Sequence, residues 1–424
     1  MRVLVVTDNR FWREQIGSQR RISSLCKHLL DQGHELSIIF AGHLYPVDES
    51  LLASGRFPYS IESFGRRAEQ SAGGDQGLPM RARIRNSLRQ LVSQGRAELS
   101  RRRDDSSRGG RRILALQFQE PKLRDFVDER VRQRFIATCE KFQPELIIVE
   151  YVRLAYVLDS CRAAIPKGCR TLIDTHDVQY ERQERYHASG QVHDIDITPA
   201  EEASALSLAD AVIAIQATDA AKLLAICPGL RVIVAGFPEG IHQHAPRDNP
   251  EKVVRIAFFG SDMPPNREAA MVLIKGIFPS LRQRFGERVE LHLYGKVCEA
   301  FAGDAKVPGL VLHGFVDDLI EAYAQIDLVA NPIAFGGGLK IKNVEALCHG
   351  RALLTTPVGA EGLEAGAGKG FWVADGGEEF AVQLERLVEN EDCRCQLSVA
   401  ALTFARRHLS ADVVYADLDA FMSG

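Results

Sequence analysis

Short runs of β-branched residues alternate with helical stretches along this chain, and the rhythm runs twice with one break between the two series. The first series comprises Val3–Val6, a helix through Leu25, Leu29 and Leu30, then Leu36–Phe40, Leu146–Val149, Thr171–Ile173, Ala211–Ile215 and Val232–Val234. The second comprises Val253–Phe259, Val289–Leu293, Leu310–Leu312, Leu328–Ala330 and Ala352–Thr355, with helices over about 266–285, 319–324 and 340–349. Strands that are apolar on both faces and joined by helices predict parallel sheets, because parallel neighbours need a crossover that then covers the sheet. The fold expected is α/β, with two doubly wound, Rossmann-like domains facing one another across a cleft. The first domain is expected over 1–237, a Pro- and Gly-rich linker over 238–250, and the second domain over 251–424, its last helix placed to pack back on the first. A length of 424 residues agrees, since it exceeds what one ordinary core fills.

Ligands of such sheets bind beyond the carboxyl ends of the strands. One of these ends carries the most informative local pattern, running from Asn331 to Leu347: an apolar strand, the glycines Gly336, Gly337 and Gly338, then a helix with Lys340, Lys342 and Glu345. Glycines let backbone approach phosphate oxygens, and a helix N-terminus offers unpaired N–H groups and the positive end of a dipole. Lys342 and Glu345 are three apart and share a helix face, so a cation for diphosphate and a carboxylate for hydroxyls are presented together.

Composition narrows the function classes. A net charge of −4 gives no general attraction to nucleic acid, and 46% hydrophobic with 25% charged residues is ordinary for a globular protein. Nine scattered cysteines without paired CxxC spacing indicate neither a disulfide framework nor a zinc site, so a reducing cytoplasm is expected. The N-terminus lacks a secretory signal pattern, and no apolar stretch reaches the roughly 18 residues of a membrane span. Residues from about 65 to 112 form an arginine-rich insertion in which Ile84, Leu88, Leu91 and Val92 make one helical stripe. It suits an anionic membrane surface or a polyanionic acceptor, or else a solvated loop around one packed helix.

With paired doubly wound domains and Gly336-Gly-Gly-Leu-Lys-Ile-Lys-Asn-Val-Glu-Ala-Leu347 in the second, the chain resembles the GT-B glycosyltransferases, most closely the retaining family 4 type. Further landmarks agree in order: Gly17-Ser-Gln-Arg-Arg21 with Gly33-His-Glu-Leu36, Ile173-Asp-Thr-His-Asp177, Phe258-Phe-Gly-Ser261 with Pro265-Asn266, and Thr356-Pro-Val-Gly-Ala-Glu-Gly-Leu363. The resemblance implies a nucleoside diphosphate sugar as donor and a saccharide or lipid-linked acceptor, with no metal and no other cofactor. It implies catalytic roles for His176 and Lys342. Donor contacts are implied at Gly260, Gly336, Gly337, Gly338, Lys340, Lys342, Glu345 and Glu361, and acceptor or phosphate contacts at Gly17, Ser18 and Arg21 in the first domain, with Arg20 beside them. Asp174 and Asp177 are near enough in sequence to orient His176.

The pattern departs from many relatives at one point. They carry a further glutamate eight positions before the one matched by Glu345, and Gly337 stands there, so the sugar is expected to be read by backbone N–H groups or by Glu361. His242 and His244 form an HxH pair in the linker without a third ligand nearby in sequence, which reads as solvent-exposed. A saccharide-binding scaffold without catalysis and a sugar-nucleotide epimerase stay open as alternatives. A dinucleotide enzyme does not, because Thr7-Asp-Asn-Arg-Phe-Trp12 follows the first strand in place of GxGxxG.

Overall fold

The computed structural model describes residues 1–63, 122–188, 193, 195–245 and 252–424. The arginine-rich insertion and its expected anionic contact lie outside the described residues. Two wholly parallel sheets organise the rest. In the first, β1 (Arg2–Thr7), β2 (Glu35–Phe40), β3 (Ser60–Ser63), β4 (Leu146–Glu150), β5 (Arg170–Asp174), β6 (Ala211–Ala214) and β7 (Val232–Val234) lie in the order β3-β2-β1-β4-β5-β6-β7. In the second, β8 (Val254–Phe259), β9 (Val289–Tyr294), β10 (Leu310–Gly314), β11 (Leu328–Asn331), β12 (Ala352–Thr355) and β13 (Trp372–Val373) lie in the order β10-β9-β8-β11-β12-β13.

The strands form where β-branched and other apolar residues run unbroken. Every residue of β4, β6, β11 and β12 is buried, because helices cover both faces. The edge strands β3 and β13 were not expected, for a physical reason. Ser60-Ile-Glu-Ser63 has only one apolar residue, and Trp372-Val373 is too short to show any period, so both are set by pairing with β2 and β12. The helix expected over about 266–285 occurs as Pro264–Met271, a π-helical stretch Val272–Ile277, and Phe278–Phe285. Pro279 cannot donate its backbone hydrogen bond, which accounts for the widened turn before it.

Each sheet reverses strand order once, between β1 and β4 and between β8 and β11. These switch points leave crevices at the strand ends. The final helix, Ala416–Ser423, packs Leu418, Phe421 and Met422 into the core beneath β1 and β4, and Arg170 donates to the Phe421 and Met422 carbonyls.

Candidate functional site

A cavity of about 290 Å³ opens where the carboxyl ends of the two sheets meet. Two helix N-termini face into it, Gly17–Asp31 from the first half and Ile341–Cys348 from the second. They approach closely: a Cβ on Gly17 would stand 2.9 Å from Ile341 Cδ1. Neither has a side-chain N-cap, Ile16 and Lys340 holding the cap positions. Four helices elsewhere have one, from Asp128, Thr198, Asp318 and Asn390, and others, Pro46–Ala53 and Gly377–Glu389 among them, do not. With no side-chain cap, the two first turns beside the cavity leave N–H groups for a ligand.

The second helix is fixed by a buried amide relay. Asn331 donates to Asn343 Oδ1 at 2.9 Å, and Asn343 donates to Thr355 Oγ1 at 3.1 Å and to the Gly359 carbonyl at 2.8 Å. The glycine run before it uses backbone forbidding to most residues, with φ of 121° at Gly336 and 67° at Gly338. Lys342, half-buried, lies with Nζ 4.5 Å above the Phe258 ring and donates to Asn266 Oδ1. Burial in this apolar setting pulls its pKa down to about 7. Gly260 carries the chain between β8 and the Asn266 turn, where a Cβ would meet Phe258 and Asn266 at 3.0 and 3.1 Å.

Lys340 differs from the expectation. Its ammonium turns under the glycine run, donating to the Gly338 carbonyl at 2.6 Å and to Glu361 Oε2 at 3.2 Å, and burial lowers its pKa. It braces the loop instead of lining the cavity. Glu361 is engaged by both Lys340 and Arg185, the latter at 3.5 Å, and Arg185 also donates to the Gly336 carbonyl at 2.6 Å. Gly337, Gly338, Lys342, Glu345 and Gly260 line the cavity from the second half, and Gly17, Ser18 and His176 from the first. Gly336, Lys340 and Glu361 stand behind that wall.

Arg21 also lines the cavity, with its guanidinium engaged by the protein itself. Its side chain is 2% exposed, and its guanidinium donates to both oxygens of Asp174 at 3.1 and 2.9 Å and to the Gly236 carbonyl. Its charge is neutralised inside the protein. Arg20 takes the outward place: it donates to Glu345 and, at 2.5 Å, to Glu239 Oε2 in the linker, so it joins the halves. Glu345 also accepts from the Tyr323 hydroxyl at 3.2 Å, and burial raises its pKa.

His176 is 4% exposed, adopts a left-handed backbone with φ of 59°, and stacks on Tyr151 with centroids 4.0 Å apart. Glu150, at the end of β4, holds its Nε2 at 2.6 Å. Neither aspartate adjacent in sequence does so, because Asp174 is committed to Arg21 and Asp177 reaches across to the glycine run. Burial, then the Asp174 charge, pushes the Glu150 pKa up. Ligand atoms of Glu150, Asp174 and His176 lie within 4.8 Å of one another, and Arg21 supplies positive charge to this buried group.

Glu150 and Tyr323 carried no sequence signal, since partnership across distant strands and helices leaves no local spacing. The HxH reading is also corrected. His349, which caps the Ile341 helix, stacks with His242 at 4.6 Å and with His244 at 5.1 Å, and His244 Nε2 lies 2.8 Å from His349 Nδ1. Both linker histidines are partly buried against it.

Residues 254–390 match the family described as "Glycosyl transferases group 1". That stretch contains the glycine run, Lys342 and Glu345. The chain as a whole has the GT-B fold, being similar to a crystal structure of HepE from Anabaena in complex with UDP and glucose, at 14% identity and a TM-score of 0.65 over 100% of this chain and 99% of that one. It is similar also to sucrose-phosphate synthase from Thermosynechococcus elongatus, at 11% identity and a TM-score of 0.68 over 100% and 98%. A third similar structure is a single-substitution mutant of S. aureus TarM in complex with Fondaparinux, alpha-GlcNAc-glycerol and UDP, at 11% identity and a TM-score of 0.64 over 100% and 99%. No curated protein matches the chain in sequence.

Proposed function

We propose that the protein transfers a sugar from a nucleoside diphosphate sugar to a saccharide or lipid-linked acceptor, with retention at the anomeric carbon and without a metal, in polysaccharide or glycoconjugate synthesis. One observation carries this reading: two uncapped helix N-termini and the ammonium of Lys342 converge on one cavity between the sheets. Such a place stabilises a diphosphate gathering charge as it leaves. Uridine diphosphate is the first candidate nucleotide, since HepE and TarM bind UDP. Phe259, Tyr294 and the exposed Phe315 offer a flat apolar wall for the base.

In the proposed reaction the bond from the anomeric carbon to the β-phosphate oxygen breaks, and both electrons pass to the diphosphate. The acceptor oxygen bonds to that carbon on the same face and its proton passes to the diphosphate. Lys342 and the helix ends hold the leaving group, Glu345 takes the ribose hydroxyls once Arg20 yields, and His176, steadied by Glu150 and Tyr151, positions the sugar. A cytoplasmic place is supported by nine free thiols. Among the described residues no helix is long and apolar enough to cross a membrane, so a membrane-bound acceptor would be met at the inner surface.

The test is a thermal-shift and calorimetric panel of nucleoside diphosphates and their sugars, followed by release of diphosphate with and without acceptor. Binding of one nucleotide class with slow donor hydrolysis is expected. Binding without turnover across acceptors would favour a saccharide-binding scaffold, and no nucleotide binding would end the reading.

A further inference from the structure

Asp177 follows His176 in the first half, yet its carboxylate lies against the glycine run of the second. A Cβ built on Gly337 would stand 3.3 Å from Asp177 Oδ1, and one on Gly338 would collide with that same oxygen. Oδ2 accepts from Arg182 at 3.2 Å, whereas Oδ1 faces the Gly337–Gly338 segment. The side chain is 19% exposed and lines the cavity together with His176, Gly337 and Gly338. Gly337 has no positive φ, so its backbone does not demand glycine. A side chain there would instead press on Asp177, whose carboxylate would have to give by a few tenths of an ångström.

We propose that Asp177 supplies, from across the cleft, the carboxylate that accepts hydrogen bonds from hydroxyls of the transferred sugar, and that Gly337 lacks a side chain to admit it. The inference rests on the donor reading given above. Three features support it. A carboxylate has two oxygens that only accept, and it therefore suits neighbouring hydroxyls, which donate. Arg182 donates to one oxygen at 3.2 Å and so orients the group. The position adjoins both the residue proposed to hold the sugar and the loop proposed to hold the diphosphate, so a group bonded to the diphosphate must pass it. Glu361, the carboxylate expected for this task from sequence, is engaged by Lys340 and Arg185 behind the loop.

The test compares affinities for a nucleoside diphosphate and for its sugar conjugate, using the pair that gives the largest shifts in a panel of UDP, GDP, ADP and dTDP derivatives. In Asp177→Asn the diphosphate should bind within about twofold of wild type, and the sugar conjugate at least about tenfold more weakly, the range for losing a charge-assisted hydrogen bond. A second variant moves the carboxylate: Asp177→Ala should show the same loss, and Asp177→Ala with Gly337→Glu should regain part of it, since the glutamate enters the vacated space. An unchanged preference for the sugar conjugate, equal loss for both ligands, or no recovery in the double variant would each overturn the proposal. Wild-type protein that binds no nucleoside diphosphate would overturn the donor reading and this inference together. Normal diphosphate binding with an unaltered sugar preference overturns this inference alone.

Discussion

The two helix mouths that face the cavity are alike in backbone and opposite in charge management. The Gly17 helix brings Arg20 and Arg21, and carboxylates meet both: Asp174 takes Arg21, while Glu239 and Glu345 take Arg20. The Ile341 helix brings Lys342, whose contacts are the amide oxygen of Asn266 and the face of Phe258. A cation hydrogen-bonded to a carboxylate holds a fold together, and one whose only hydrogen bond is to an amide, with Glu345 acting through its charge alone, has donors left for an incoming anion. In the proposed reading the arginines of the first mouth hold the fold and the lysine of the second meets the ligand, although both mouths carry a similar basic pattern in sequence and both face the cavity.

That contrast can be broken by substitution. Arg21→Ala should destabilise the protein by about 3–5 kcal/mol, because it strands Asp174 as an unpaired buried charge beside Glu150. Denaturant unfolding measures it, and a loss under 1 kcal/mol would move Arg21 into the ligand site. Lys342→Ala should do the reverse, lowering turnover by about 10²–10³-fold, or about 3–4 kcal/mol of transition-state stabilisation, with folding stability unchanged or improved. Removing a desolvated amine is no burden to the fold, and unchanged turnover would defeat the assignment.

The same contrast sharpens with pH. With its pKa near 7, Lys342 is partly neutral in the free protein at neutral pH, and only the ammonium attracts phosphate. Affinity for a nucleoside diphosphate should be level below about pH 7 and fall above it by up to about tenfold per unit until the higher pKa of the complex is reached. Calorimetry from pH 6 to 9 tests this, and Lys342→Met should flatten the profile. A smaller effect belongs to the histidine stack that fastens the linker to the second half. Burial first, with Arg351 and the neighbouring imidazoles, lowers the pKa of His244 from 6.5 to about 4 and that of His349 to about 3. Glu321 acts oppositely on His244. Depressed histidine values favour the neutral ring in the fold, so their contribution is intact above about pH 6.5 and is lost as pH falls toward 4 and 3. By pH 5 the loss should be up to about 2 kcal/mol per histidine, seen as a lowered Tm, and His244→Gln should remove its share.

The sequence by itself determined the two sheets and the place of the glycine-rich loop before the Ile341 helix. Continuous apolar strands must be covered on both faces, glycines before a helix leave backbone open, and these are local rules that survive any arrangement of distant parts. Tertiary structure alone decided which charges are free. Arg20 and Arg21 are neighbours in the chain yet meet different carboxylates, Glu150 and not Asp177 steadies His176, and His349 completes a stack that the HxH pair only began. Each of those outcomes depends on a partner between 26 and 325 residues away, and electrostatic meaning depends on distance and burial, which sequence spacing does not encode.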